Sequence, residues 1–162
     1  PRFQHYLGVD VCLHYRLGDP QAAEPLELHS AIGVPDGVRE ALARLALGQG
    51  ICGLAAAERR VQYVEDVQAA ERPDALAMRA LGVRAYACHP LLAHGQLLGT
   101  LSFGSRTKTG FDDDDRRVMA TLAHYLAIAW ERLESARRVA DSEARYRDLA
   151  DTNAELQADI AA

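Results

Sequence analysis

The sequence predicts an α+β domain built on one mostly antiparallel sheet and followed by a single long helix. Three observations carry this expectation. Apolar and β-branched runs come in pairs joined by short turn-rich links. Short helical segments lie between those pairs. From Asp112 onward there is neither proline nor glycine, while apolar residues recur by threes and fours. Strand, strand, helices, strand, helix, strand, strand and long helix is an α+β order.

Each element has a local reason. Val9–Arg16, "VDVCLHYR", and Leu26–Ile32, "LELHSAI", read as strands. The turn-rich "GDPQAAEP" between them makes a hairpin. Pro35–Leu47 has apolar residues at Val38, Leu42 and Leu45, a helical spacing, with Pro35 suited to a first turn. "GQGICG", Gly48–Gly53, leads into a short helical piece, "LAAAERR". Val61–Val67 reads as a third strand. Arg72–Gly82 reads as a short helix that Asp74 caps and Gly82 ends. Val83–Leu92 and Gln96–Gly104 form a hairpin turning at "AHG". Their apolar runs are continuous rather than alternating, which implies cover on both sheet faces. Asp112 is placed to cap the final helix, and the acidic run behind it suits the helix dipole.

That final helix carries two seven-residue series. The first runs through Val118, Leu122, Leu126, Ala129, Leu133, Ala136 and Ala140. The second runs through Val139, Tyr146, Leu149, Asn153, Leu156 and Ile160, offset by one residue near Val139–Ala140. Helical throughout, Asp112–Ala162 is about 75 Å long, more than one domain covers, so its far half is expected to pair with a second copy.

Composition narrows the function. The 162 residues suffice for one domain with a core, and 49% apolar with 25% charged residues is globular composition. The net charge of −5 lies entirely in residues 112–162, since the 11 basic and 11 acidic residues of 1–111 cancel. No basic stripe offers a nucleic acid its footprint. No apolar run reaches membrane-helix length, and with no signal peptide visible in the first residues none is expected. The start at Pro1 rather than methionine is expected of a piece of a longer protein. Three cysteines without a CxxC, in a chain lacking a secretion signal, point to reduced thiols and a cytoplasmic address.

"GQGICGLAAAERRVQYVEDV", "LGVRAYACHPLLAHGQLLGTLSFGS" and "FDDDDRRVMATLAHYLAIAWER" together resemble a GAF domain. The resemblance spans roughly residues 5–134 and is most specific in the "PLLAHGQLLGTLSF" hairpin followed by Phe111 and a helix. It is similar above all to GAF sensors of bacterial multidomain histidine kinases. The tail "RRVADSEARYRDLADTNAEL" looks like the signalling helix that leads to PAS or kinase domains. The resemblance implies a PAS-related sheet of about six strands, a sensory domain over 1–134 and a coiled-coil linker over 135–162. It also implies a small-molecule pocket on one face and dimerisation helices on the other. On that basis Cys52, Tyr63, Asp66, Met78, Tyr86, Cys88 and His89 are expected to line the pocket. The seam of Leu122, Leu126, Ala129, Leu133, Ala136 and Ala140 is expected to join a homodimer.

Cys88 beside His89 suggests a metal, haem or chromophore, but neighbouring strand residues point to opposite faces, so the two cannot readily share one metal. No metal site is expected, and no cofactor is named by the residues. Phytochrome-type relatives carry their attachment cysteine in the helix before the glycine, where "PDALAMRALG" has none. Free methionine-(R)-sulfoxide reductases are GAF-fold thiol enzymes. Cys52 matches one of their cysteines, but "VQAAERPDALAM" lacks the catalytic one and Leu42 stands at the third. An enzyme is therefore not expected. Cyclic-nucleotide-binding relatives carry an Asn-Lys pair where Ser105-Arg106 stands; Phe111, Asp114 and Asp115 remain of that pattern. The expected function is a sensory module relaying an unidentified ligand through a dimeric helix, the alternative being a ligand-free dimerisation relay.

Overall fold

The computed structural model describes residues 6–161; residues 1–5 of the expected domain and Ala162 lie outside them. The chain divides into two compact units, residues 1–127 and 128–162.

The first unit holds a six-stranded, fully antiparallel sheet: β1 Val11–Leu17, β2 Leu26–Ile32, β3 Arg44–Leu45, β4 Gln62–Val64, β5 Ala85–Ala93 and β6 Gln96–Ser105, in the order β3-β2-β1-β6-β5-β4. Helix α1 is Asp36–Ala41, α2 Gly50–Glu58 and α3 Leu76–Ala80, the last preceded by a 3₁₀ turn at Pro73–Ala75. α4 begins at Asp113 and continues to Ala161. The α+β sheet with a long terminal helix is as expected.

Two cores cover the two sheet faces. One holds Leu13, Tyr15, Tyr86 and Cys88 against Ile51, Cys52 and Ala55 of α2 and Met78 of α3. The other holds Ala87, Leu101 and Phe103 against Met119, Ala123 and Ala127 of α4. Met119, Ala123 and Ala127 recur every fourth residue, so one stripe of α4 meets the sheet. The double cover explains the continuous apolar runs of β5 and β6.

Several local devices follow the sequence. Asp112 caps α4: its Oδ1 accepts from the Asp115 amide at 2.8 Å, and Asp115 Oδ2 accepts in return from the Asp112 amide at 3.3 Å. That is a reciprocal capping box. The β5–β6 turn places His94 at φ 50 and Gly95 at φ 73, the pair of positive angles a two-residue hairpin favours. Gly82, at φ 73, ends α3 with bonds from Gly82 N to Arg79 O and from Val83 N to Met78 O, a Schellman arrangement.

Three expectations are corrected. The helix expected over Pro35–Leu47 stops at Ala41, and Leu45 pairs with Leu26 as part of β3. Val38 and Leu42 do face the core, but the backbone bonds of a sheet edge capture the chain beyond them. The freed Leu42 carbonyl accepts from the Tyr15 hydroxyl at 2.7 Å. The strand expected over Val61–Val67 shrinks to Gln62–Val64 because Asp66 takes φ 43 and sends its amide to Thr109 O. Asp74 does not cap α3; its carboxylate pairs with Arg72 at 2.6 Å.

The second unit is the helical stretch of 128–161. Glu131–Ser135, Arg137–Glu134 and Arg147–Glu143 contacts lie along it. Leu133, Val139, Tyr146, Leu149, Leu156 and Ile160 are exposed.

Candidate functional site

Alternation along three adjacent strands builds the site. β1 sends Leu13 and Tyr15, β5 sends Tyr86 and Cys88, and β6 sends Ser102 to the face that α2 and α3 cover. Between that face and the helices lies a cavity of about 330 Å³. Leu13, Tyr15, Leu42, Leu45, Ile51 and Met78 form its apolar walls; Gln49, Cys52, Asp74 and Tyr86 add polar atoms. Gly53 allows α2 its close approach, since a Cβ there would stand 2.5 Å from the Ala46 carbonyl oxygen.

The floor carries a buried polar chain. Tyr86 Oη donates to Ser102 Oγ at 2.6 Å, and Ser102 Oγ donates to the Leu13 carbonyl at 3.3 Å. Cys52 Sγ lies 3.3 Å from Tyr86 Oη. The neighbouring Cys88 thiol is the largest influence drawing the Cys52 pKa, against burial, below the ordinary thiol value. Burial first, and then Cys52, pushes Cys88 well above it. Tyr86 is raised by burial and by the two sulfurs. Cys12 belongs to the opposite core, where burial pushes its thiol up to about 11.

The expected lining residues part company. Cys52, Met78 and Tyr86 reach the cavity, and Cys88 lies beneath it, fully buried. His89 and Tyr63 are elsewhere. His89 faces the α4 side, with ring centroids 5.9 Å from Tyr63 and 6.0 Å from Phe103. It shares a small hollow of about 170 Å³ with His124 and Ala123. Its Nε2 is buried without a hydrogen-bond partner, and burial lowers its pKa to about 4. Tyr63 packs under the Arg116 guanidinium, 4.3 Å from its ring centre, and Arg116 also pairs with Glu65 at 2.9 Å. Asp66 is exposed at its turn, where its carbonyl accepts from Ala69 and Ala70. Cys88 and His89 therefore point to opposite faces, and among the described residues no three His, Cys, Asp or Glu side chains are grouped to hold a metal ion.

Leu122 and Leu126 of the expected seam are half-buried against the α4-side core of the first unit. In the second unit Ala129, Leu133, Ala136 and Ala140 are exposed.

Ser105-Arg106 is structural. The Arg106 amide donates to Asp10 Oδ2 at 2.7 Å, its Nε to Leu81 O at 2.9 Å and its Nη2 to Gly33 O at 2.8 Å. Ser105 Oγ accepts from the Lys108 amide at 3.0 Å. Phe111 is buried in the α4-side core, and Asp115 holds Lys108 at 2.6 Å. The acidic residues kept from the nucleotide-binding pattern are thus spent on a cap and an ion pair, with Asp114 paired to Arg117 at the surface. Tyr15 and Ser102 were not among the expected site residues. Their signal lies in pairing register, Tyr15 opposite Thr100 and Ser102 opposite Cys88, which a single strand does not reveal.

A single six-stranded sheet covered on both faces, with a pocket between one face and short helices, defines the architecture. The GAF domain family model matches residues 4–131, and the chain belongs to that family. It is similar to Protein YtsP of Bacillus subtilis (strain 168), with 32% identity over 89 residues covering 55% of this chain; it spans about half, 53%, of that curated relative. Among solved structures it is similar to a protein of Burkholderia vietnamiensis taken to be a GAF sensor (32% identity, TM-score 0.57, 72% of this chain and 66% of that one). It is also similar to the free methionine-R-sulfoxide reductase of Neisseria meningitidis solved with its substrate (27% identity, TM-score 0.65, 80% and 71%). No helix among the described residues is long and apolar enough to cross a membrane.

Proposed function

We propose that this GAF domain is the sensory part of a bacterial signal-transduction protein. It takes a small ligand into the cavity between sheet, α2 and α3, and relays occupancy through α4 in a parallel dimer to a downstream PAS or kinase domain. The observation that carries this reading is the cavity itself: about 330 Å³, apolar-walled, with the Tyr86 hydroxyl and Cys52 thiol among its polar groups. Such a site suits a compact, mostly apolar ligand with one hydrogen-bonding group. The exposed apolar residues from Leu133 to Ile160 support pairing with a second copy, and the offset near Val139–Ala140 offers a two-state element. Coupling of about 1–3 kcal/mol would suffice.

Native mass spectrometry of the purified protein, with a thermal-shift screen of small organic ligands, tests the reading. A bound mass, or a melting shift lost in Tyr86→Phe, supports it. A protein that stays apo and unshifted throughout supports the ligand-free relay instead.

The Neisseria likeness gives the reductase reading a specific footing. Against it, Leu42 is an apolar cavity wall and only Cys52 of the three expected thiols is present. Turnover of methionine-R-sulfoxide with a thiol reductant, lost in Cys52→Ser, would establish the enzyme.

A further inference from the structure

Two backbone carbonyls fix the direction of the hydrogen bonds around the cavity, because a carbonyl oxygen only accepts. The Leu42 carbonyl takes the Tyr15 hydroxyl proton, at an O–O distance of 2.7 Å. The Leu13 carbonyl takes the Ser102 proton at 3.3 Å, so Ser102 Oγ accepts from Tyr86 Oη at 2.6 Å. Each hydroxyl has one proton to give. Tyr86 has spent its own on Ser102, so in its 3.3 Å contact with Cys52 Sγ the thiol donates and the phenol oxygen accepts. Tyr15, Tyr86 and Cys52 all line the cavity, and all three give their protons to protein atoms. What the two tyrosines keep toward a ligand are oxygen lone pairs.

Burial separates this floor from the opening. Tyr15, Cys52 and Tyr86 are buried, whereas Gln49 and Leu76 are exposed and Asp74 is half-buried. Arg72 already holds the Asp74 carboxylate at 2.6 Å. Donors near the opening, the exposed Gln49 amide and the half-buried Gly50 at the start of α2, are shared with water and discriminate less between ligands.

We propose that the cavity selects a neutral, mostly apolar ligand whose polar group is a hydrogen-bond donor, an N–H or O–H given to the Tyr86 or Tyr15 oxygen. This rests on the cavity being a ligand site and names the class of ligand it takes. The walls of Leu42, Ile51 and Met78 hold the apolar body of such a ligand whatever its polar group. The polar group is what the floor sorts. A ketone, ether or carboxylate of the same shape turns lone pairs toward lone pairs. It gives up its water on entry and finds no donor in exchange, which costs at least the worth of one hydrogen bond.

Indole and benzofuran test the assignment, because they have nearly the same shape and differ in an N–H against a ring oxygen. Dissociation constants are measured by isothermal titration on the intact protein at neutral pH, with benzyl alcohol and benzoate as a second pair. Indole should bind about tenfold tighter than benzofuran, the worth of one hydrogen bond, and benzyl alcohol tighter than benzoate. Tyr86→Phe and Tyr15→Phe each remove one acceptor, and the advantage of indole should disappear in one of them. Equal affinities for indole and benzofuran, or an advantage kept in both tyrosine variants, would overturn the donor assignment and leave the cavity a ligand site. Benzoate binding tighter than benzyl alcohol would overturn it too, by placing the polar group on the first-turn amides of α2. No binding by any of the four would remove the cavity as a site for ligands of this class, and the proposal with it. The wild-type ratio decides even if a tyrosine variant fails to fold.

Discussion

Replacing His89 by leucine should flatten the acid side of the stability profile. His89 is 3% exposed, its Nε2 has no hydrogen-bond partner, and burial lowers its pKa from 6.5 to about 4. The titratable groups around it are Tyr63 from β4 and His124 from α4, with Phe103 from β6 completing the seat. Above pH 6.5 the imidazole is neutral in both folded and unfolded chains, and contributes no pH dependence. Below 6.5 the unfolded chain binds a proton that the folded chain refuses, so stability falls as pH falls. The fall continues to about pH 4, where the folded imidazole also protonates. A shift of this size, at about 1.36 kcal/mol per unit, is worth roughly 3 kcal/mol. His14, also lowered to about 4 by burial and then by His29 and Arg16, adds a parallel loss. The difference between wild type and variant is therefore the quantity to read. Urea unfolding at steps from pH 7.5 to 4 should show His89→Leu losing about 3 kcal/mol less than wild type, with the curves separating from pH 6.5 downward. Parallel curves would refute the argument, since they would mean that His89 is protonated at no cost in the folded state.

Other outcomes can be stated briefly. Gly99 has φ 153, and a Cβ there would collide with the Tyr15 carbonyl; Gly99→Ala should cost at least about 2 kcal/mol in a thermal or urea melt. Arg106→Ala removes the guanidinium bonds to Leu81 and Gly33 and should cost roughly 2 kcal/mol by the same assay. Asp112→Ala removes the α4 cap and should cost about 1 kcal/mol. For the dimer, Leu133→Glu with Leu149→Glu should yield monomer in sedimentation without loss of folding, because both side chains are exposed. Leu126 is unsuitable for that test, being half-buried in its own domain, and an unchanged dimer would place the interface elsewhere.

The sequence by itself determined the order of the elements apart from β3, the hairpin at His94-Gly95, the cap at Asp112 and the long terminal helix. Each is written in residues adjacent or one turn apart: turn glycines, capping carboxylates, apolar spacing. Strand alternation likewise sufficed to separate Cys88 from His89. Local pattern misled where a distant pairing decided the outcome. Leu45 fits the helical spacing of Val38 and Leu42, yet the backbone of Leu26 takes it into β3.

The site was legible only in part, for the same reason. That Cys52 reaches Tyr86 is set by α2 lying over β5, and that Tyr86 reaches Ser102 is set by the β5–β6 register. Which face a strand residue occupies follows from the chain, but which face holds the cavity does not; hence Tyr63 and His89 fell on the α4 side. Arg106 shows the limit most plainly, because its carbonyl partners, Leu81 and Gly33, lie 25 and 73 residues away. Local spacing encodes helices, turns and caps, whereas a cavity is made by side chains from elements that only the closed sheet brings together.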